Sequence, residues 1–361
     1  MSLLADARAY ALVARWLGPW AAHDGVPAGI RQHDDIIDAP GGRRVRVRVY
    51  HPPGEIRAVF MIGPGLHYLG ADDPRQDRFC RVLAAAGHLV LAPILSDYID
   101  LLPRPRAIDD FHAVWAARGR WDPQARPPVI FALSFGGLVA TGLAARVAPD
   151  GISRVVLFGS YGGFTKTLYF SLTGLYPGRT TPTRDPLNQP VVFNSFFPYL
   201  DAPCPHEAEV RAAWRAFVMA TWGRKEMKEP ARWQPIARDL AASVPDGPAR
   251  QLYLHGVGLT PDWMAFAEPI MRRGEPGQRD LDCLPYLAKI TCPVDIVHAR
   301  GDDVIPREEA QVLADGLTSS SRVRVHITGL YDHSGGNKPG PRALLAEGQS
   351  MLAVLGLLAR A

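Results

Sequence analysis

Residues 129–138 read Val129-Ile130-Phe131-Ala132-Leu133-Ser134-Phe135-Gly136-Gly137-Leu138, and this stretch decides the fold. Its five leading apolar residues fit a short strand covered on both faces. From Leu138 to Val147 the apolar residues recur at helical spacing instead. Between strand and helix sits one serine among small neighbours, Ala132, Gly136 and Gly137. A chain that passes from strand to helix so quickly makes a tight, strained corner, and small residues let backbones approach there. Such a corner would hold the Ser134 hydroxyl exposed. On its own, serine followed by x-Gly-Gly is more often a plain turn, so the surrounding pattern has to decide.

Working outward, the same alternation of strand and helix recurs on both sides. Upstream, Arg43-Arg44-Val45-Arg46-Val47-Arg48-Val49-Tyr50 alternates polar and apolar residues, which predicts a strand with one buried face. His51-Pro52-Pro53-Gly54 ends it with turn residues. Ala58 to Ile62 is a continuous apolar run, broken by Gly63-Pro64-Gly65. A helix follows over Arg78 to Ala86, with Phe79, Val82 and Leu83 on its apolar side and Gly87 closing it. His88 to Ala92 predicts a strand and Ile108 to Arg118 a helix. Downstream come a strand over Val155–Phe158, another over Val294–Val297, and a helix over Arg307–Leu317. A last strand covers Val323–Ile327, and a terminal helix runs from about Arg342 to Leu358. Short apolar runs separated by amphipathic helices predict an α/β fold, a mostly parallel central sheet flanked by helices.

The rhythm stops for roughly 120 residues between Phe158 and Val294, far longer than an ordinary connection. This stretch, about Tyr161 to Asp282, is rich in Pro, Gly and aromatics, among them Phe196, Phe197, Trp214, Trp222, Trp233 and Trp263. An insertion that leaves a sheet and returns to it reads as a largely helical cap packed over the sheet's edge. The expected organisation is therefore 1–160 for the first part of the core with an N-terminal helix, 161–282 for the cap, and 283–361 for the rest of the core. Before the sheet, Leu3, Leu4, Ala7, Leu12, Val13 and Trp16 form an apolar stripe expected to pack that helix on its own domain, the alternative being a membrane-surface or dimer contact.

Composition narrows the function classes. Hydrophobic residues make up 47% and charged residues 21%, which suits a chain with a sizeable buried core and excludes a disordered one. The net charge of +4 is spread along the chain rather than clustered, which argues against a nucleic-acid surface. Cys80, Cys204, Cys283 and Cys292 show no metal-site spacing and read as reduced core thiols, the alternative being one disulfide in a secreted protein. Asp6, Arg8 and Arg15 interrupt the N-terminal apolar residues, so no signal peptide is expected and no apolar run is long enough to span a membrane. The expected location is the cytoplasm.

Two further sites fall just after predicted strands, where open α/β sheets place their ligands. His333 lies in the loop Gly329-Leu330-Tyr331-Asp332-His333-Ser334-Gly335-Gly336, among small and polar residues, as a proton-transferring histidine requires. Asp302 and Asp303 lie in His298-Ala299-Arg300-Gly301-Asp302-Asp303-Val304-Ile305-Pro306. A carboxylate there would orient the imidazole; the plainer expectation is that one of the two opens the next helix.

With serine, then aspartate, then histidine in chain order, each after the expected strand, the sequence resembles the α/β-hydrolase superfamily from about residue 43 onward, the cap excepted. The resemblance implies a triad of Ser134, Asp302 and His333, the family's spacing favouring Asp302 over Asp303. It implies an oxyanion hole from the N–H groups of Leu66 and Phe135. Two departures stand out: Ala132 replaces the first glycine of Gly-x-Ser-x-Gly, and Gly63-Pro64-Gly65-Leu66-His67 lacks the family's His-Gly pair. His67, beside the oxyanion loop, could touch substrate but reads rather as a structural hydrogen-bonding residue, and His255-Gly256 reads as a coincidence within the cap. The implied activity is cleavage of a carboxylic ester through an acyl-serine, with no cofactor and no metal. The expected partner is a small-molecule ester with an apolar group, and no nucleic acid. The alternatives are an acyltransferase or thioesterase on the same triad, or a non-catalytic binding protein of this fold. For the aromatic insertion, the alternative to a cap is a homodimer interface.

Overall fold

The structure, a computed structural model, describes residues 3–18, 25–179, 182–329, 331–332, 335–336 and 347–359. Its strands are β1 (Arg31–Ala39), β2 (Arg43–His51), β3 (Ala58–Gly63), β4 (His88–Ile94), β5 (Val129–Leu133), β6 (Arg154–Phe158), β7 (Val294–Ala299) and β8 (Val323–Thr328). Among the described residues these form one eight-stranded sheet in the order β1-β2-β4-β3-β5-β6-β7-β8. The first two pairings, β1 with β2 and β2 with β4, are antiparallel. All the others are parallel.

Burial follows the sequence patterns. In β2 the side chains of Val45, Val47 and Val49 are buried while Arg44 and Arg46 are not, as the alternation requires. Every residue of β4 and β7 is buried, as a strand covered on both faces must be. The strand the sequence reading missed is β1, Arg-Gln-His-Asp-Asp-Ile-Ile-Asp-Ala. It lies at the sheet edge and buries only Ile37 and Ala39, so it carries almost no apolar alternation.

The helix predicted from Arg78 starts earlier, at Pro74, because Asp73 caps it by accepting the Arg75 N–H at 2.8 Å. It ends as expected before Gly87, whose φ of 100° suits a residue without a Cβ. Helices at Ala107–Ala116 and Gly136–Ala144 connect the central strands. The N-terminal helix, Leu3–Leu17, buries Ala9 and Val13 in the same core as Val354, Leu355 and Leu358 of the last helix, Gly348–Ala359. His88 reinforces that end of the core: its Nε2–H donates to the Leu358 carbonyl at 3.2 Å. No helix among the described residues is long and apolar enough to cross a membrane.

The chain divides into two compact units, residues 1–162 with 283–302 and 307–361, and residues 163–282 with 303–306. The first holds the sheet. The second contains helices at Phe164–Thr173, Gln189–Asn194, Glu207–Thr221, Pro230–Ala241, Pro248–Gly256 and Trp263–Gln278. Several of its aromatics fill an interior: Phe193, Phe196, Trp214 and Phe217 are all buried. Phe193 lies edge-on to Trp214, with ring centres 6.2 Å apart. Phe196 and Phe197 belong to that interior and are not an exposed apolar face.

Candidate active site

The corner read from the sequence is present. Strand β5 ends at Leu133, the helix begins at Gly136, and Ser134 between them has a φ of 51°. A left-handed conformation is uncommon for a residue with a side chain and persists only where the surroundings hold it. They do so here through both peptide groups. The Ser134 N–H donates to the Phe158 carbonyl at 2.8 Å, which continues the pairing with β6. The Ser134 carbonyl accepts the Ser160 hydroxyl and the Gly137 N–H, each at 3.0 Å.

Close packing explains the small residues. A Cβ on Gly136 would lie 2.2 Å from the Gly63 carbonyl oxygen and 2.9 Å from that of Pro64, so the loop after β3 rests on the start of the helix. The Ala132 substitution fits for the same reason. Gly63 is its partner on β3, and the absent side chain leaves room for the Ala132 methyl. That loop also reaches the serine: a Cβ on Gly65 would be 3.8 Å from the Ser134 Cβ. Leu66 follows directly and is half-buried.

Residues that sequence reasoning did not single out hold the corner from below. Tyr98, fully buried, donates its hydroxyl to the Phe135 carbonyl at 3.0 Å, and burial pushes that phenol well above its ordinary pKa, keeping it a donor. Its neighbour Asp97 is fixed by Arg106, whose Nε and Nη2 lie 2.8 and 2.5 Å from the two carboxylate oxygens. Tyr161 meets the Phe135 ring edge-on at 5.3 Å. A small polar residue just past an apolar strand, after Gly159, was the one available signal for Ser160; Tyr98 had none.

Asp302 and Asp303 follow β7, two places along the sheet from β5. They part company in the structure. Asp302 is 1% exposed, with Oδ2 3.4 Å from Nε2 of the buried His298. Asp303 instead meets Lys228, whose Nζ lies 2.5 Å from Oδ2, and its carbonyl accepts the Asp185 N–H at 3.0 Å. Neither opens the following helix, which runs from Glu309 to Gly316. His333 lies outside the described residues, but its chain neighbours Tyr331–Asp332 and Gly335–Gly336 pair antiparallel. His67 takes a local hydrogen bond, its Nδ1 accepting the Leu69 N–H at 3.3 Å, and burial lowers its pKa. His255 is buried in the second unit, stacked on Phe266 at 4.4 Å. Among the described residues no cluster of three or more His, Cys, Asp or Glu could hold a metal ion, and Cys80, Cys204, Cys283 and Cys292 are free thiols.

Sheet order, strand directions and the serine corner together define the α/β-hydrolase fold, and comparison with solved structures agrees. The chain is similar to an esterase of Pyrococcus furiosus with a TM-score of 0.50 and 13% identity, over 93% of this chain and 96% of that one. It is also similar to an acylaminoacyl peptidase of Pyrococcus horikoshii (TM-score 0.48, 9% identity, 91% of this chain and 41% of that one). A proline iminopeptidase of Mycobacterium smegmatis gives a TM-score of 0.43 and 16% identity, over 91% of this chain and 97% of that one. The chain thus spans about 41% of the length of the acylaminoacyl peptidases it matches. No protein-family model matches the sequence, and no curated protein matches it.

Proposed function

We propose that this chain is a serine hydrolase that cleaves a carboxylic ester through an acyl-Ser134 intermediate. The observation that carries the reading is Ser134 itself, held at a φ of 51° between a buried strand and a helix, with the loop after β3 against it. Backbone strain in residues with side chains clusters at active sites, and here it falls on the strand-to-helix corner itself.

In the first half-reaction His333 takes the Ser134 hydroxyl proton as the oxygen attacks the ester carbonyl. The negative charge moves to the carbonyl oxygen, where the N–H groups of Leu66 and Phe135 receive it. Each such donor lowers the barrier by about 3–4 kcal/mol. The intermediate collapses, the carbon–oxygen bond to the alcohol breaks, and the imidazolium returns the proton to the leaving alkoxide. Water, deprotonated by the same histidine, then attacks the acyl-enzyme, releasing the acid and restoring the serine. Asp302 orients His333 and stabilises its charged form. Asp303 is the weaker candidate because its carboxylate is neutralised by Lys228.

Residues 163–282, which leave the sheet after β6 and return before β7, are proposed to set substrate choice. The test is a panel of p-nitrophenyl esters of increasing chain length, with thioesters, lactones and amides alongside and Ser134→Ala as control. Ester turnover lost in the control supports the reading. Turnover of thioesters alone, or only in the presence of an acyl acceptor, redirects it to the alternatives on the same triad.

A further inference from the structure

Glu347 lies just before the last helix, and its side chain is 11% exposed although it bears a charge. Arg300 Nη2 donates to its Oε1 at 2.8 Å. The same carboxylate takes hydrogen bonds from the Gly329 N–H and the Thr328 hydroxyl. Burial alone would raise its pKa, but the bonds from Arg300, Gly329 and Thr328 outweigh that and hold it below the ordinary glutamate value. The approach is close: a Cβ on Gly329 would lie 3.3 Å from Oε1.

The partners share one location. Arg300 is the first residue after β7, Thr328 the last of β8, and the Arg300 N–H donates to the Thr328 carbonyl at 2.7 Å. From these two strand ends leave the segments bearing Asp302, two residues beyond Arg300, and His333, four beyond Gly329. We propose that Glu347 is a positioning residue for catalysis, gathering the two strand ends from which the segments carrying Asp302 and His333 leave. The inference rests on the triad reading above. Its physical basis is that a base misplaced by about 1 Å costs on the order of a hundredfold in rate, even when the substituted residue is remote from the chemistry.

The test uses the full chain with Glu347→Ala, Glu347→Gln and Arg300→Ala, read by ester kinetics, thermal unfolding and hydrogen exchange. Glu347→Ala is expected to lower kcat by about tenfold to a hundredfold with KM within about twofold, the scale of a misplaced catalytic group. Amides of residues 300–302 and 329 should exchange faster in it. Glu347→Gln keeps acceptors for Thr328 and Gly329 and should restore most of kcat. Arg300→Ala should fall between the two. Unchanged kcat in Glu347→Ala overturns the proposal, as does unchanged exchange at those amides, or a lowered melting temperature with kcat intact. So does a Glu347→Gln variant no better than Glu347→Ala. Ser134→Ala hydrolysing esters as fast as the parent chain overturns the triad reading instead, and is told apart because it leaves the exchange result standing.

Discussion

The Tyr98 hydroxyl donates a 3.0 Å hydrogen bond to the carbonyl of Phe135, the residue whose N–H is proposed to face the oxyanion. One buried side chain, from the short helix Ser96–Ile99 that follows β4, thus holds Phe135 by the peptide group it shares with Gly136.

Tyr98→Phe removes that bond while keeping the ring. The Phe135 carbonyl retains the Leu138 N–H at 3.2 Å, so no acceptor is stranded. The expected stability loss is about 1 kcal/mol, measured by urea unfolding. In ester kinetics kcat should fall with little change in KM, because the donor is used when charge develops.

Gly136→Ala should be far more damaging than its size suggests. The new methyl would lie 2.2 Å from the Gly63 carbonyl oxygen, a backbone atom with nowhere to go. The helix would have to shift, at a cost of about 3 kcal/mol or more, at the severe end for single substitutions. Ala132→Gly, on the neighbouring strand position, should cost about 1 kcal/mol. Thermal melts of the two variants check the contrast.

His88 makes stability depend on pH. Burial, then the nearby Arg57, lower its pKa from 6.5 to about 4, although its bond to Leu358 opposes this. The folded state therefore holds His88 neutral. Between about pH 6.5 and 4 the unfolded chain binds the proton and the folded chain does not, so stability falls as pH drops through that window and this contribution levels off below it. The whole loss is on the order of 3 kcal/mol. His88→Gln should flatten that part of the stability–pH curve, measured by denaturant unfolding at a series of pH values.

Asp302→Asn should lower kcat by about 10³–10⁴-fold, through a misoriented histidine. Asp303→Asn leaves that role untouched and removes the charge opposite Lys228, so its effect should appear in thermal stability and only weakly in kcat. Side-by-side kinetics and melts separate them; the reverse ranking moves the assignment one residue along.

What was legible in the sequence was local. The apolar runs of β3 to β7 and the Ser134 corner are written in consecutive residues. Strand β1 escaped because an edge strand made mostly of exposed polar residues has no period to read. The ion pair that engages Asp303 comes from Lys228, 75 residues away in the chain. Tyr98, Ser160 and Glu347 likewise act on residues 37, 26 and 47 positions distant, where no spacing rule reaches. The aromatics of residues 163–282 are ambiguous in sequence, since a rich apolar content signals an interior as readily as a contact surface, and Phe193, Phe196, Trp214 and Phe217 turn out to be buried.

The most direct measurement is reaction of the full chain with a fluorophosphonate, followed by peptide mapping with mass spectrometry. A strained serine activated by a histidine attacks phosphorus as it attacks an ester carbonyl. One adduct per chain is expected, on the peptide containing Ser134, absent from Ser134→Ala and strongly slowed in His333→Ala. An adduct on a different serine, or none on a chain that still hydrolyses esters, would remove Ser134 as the nucleophile.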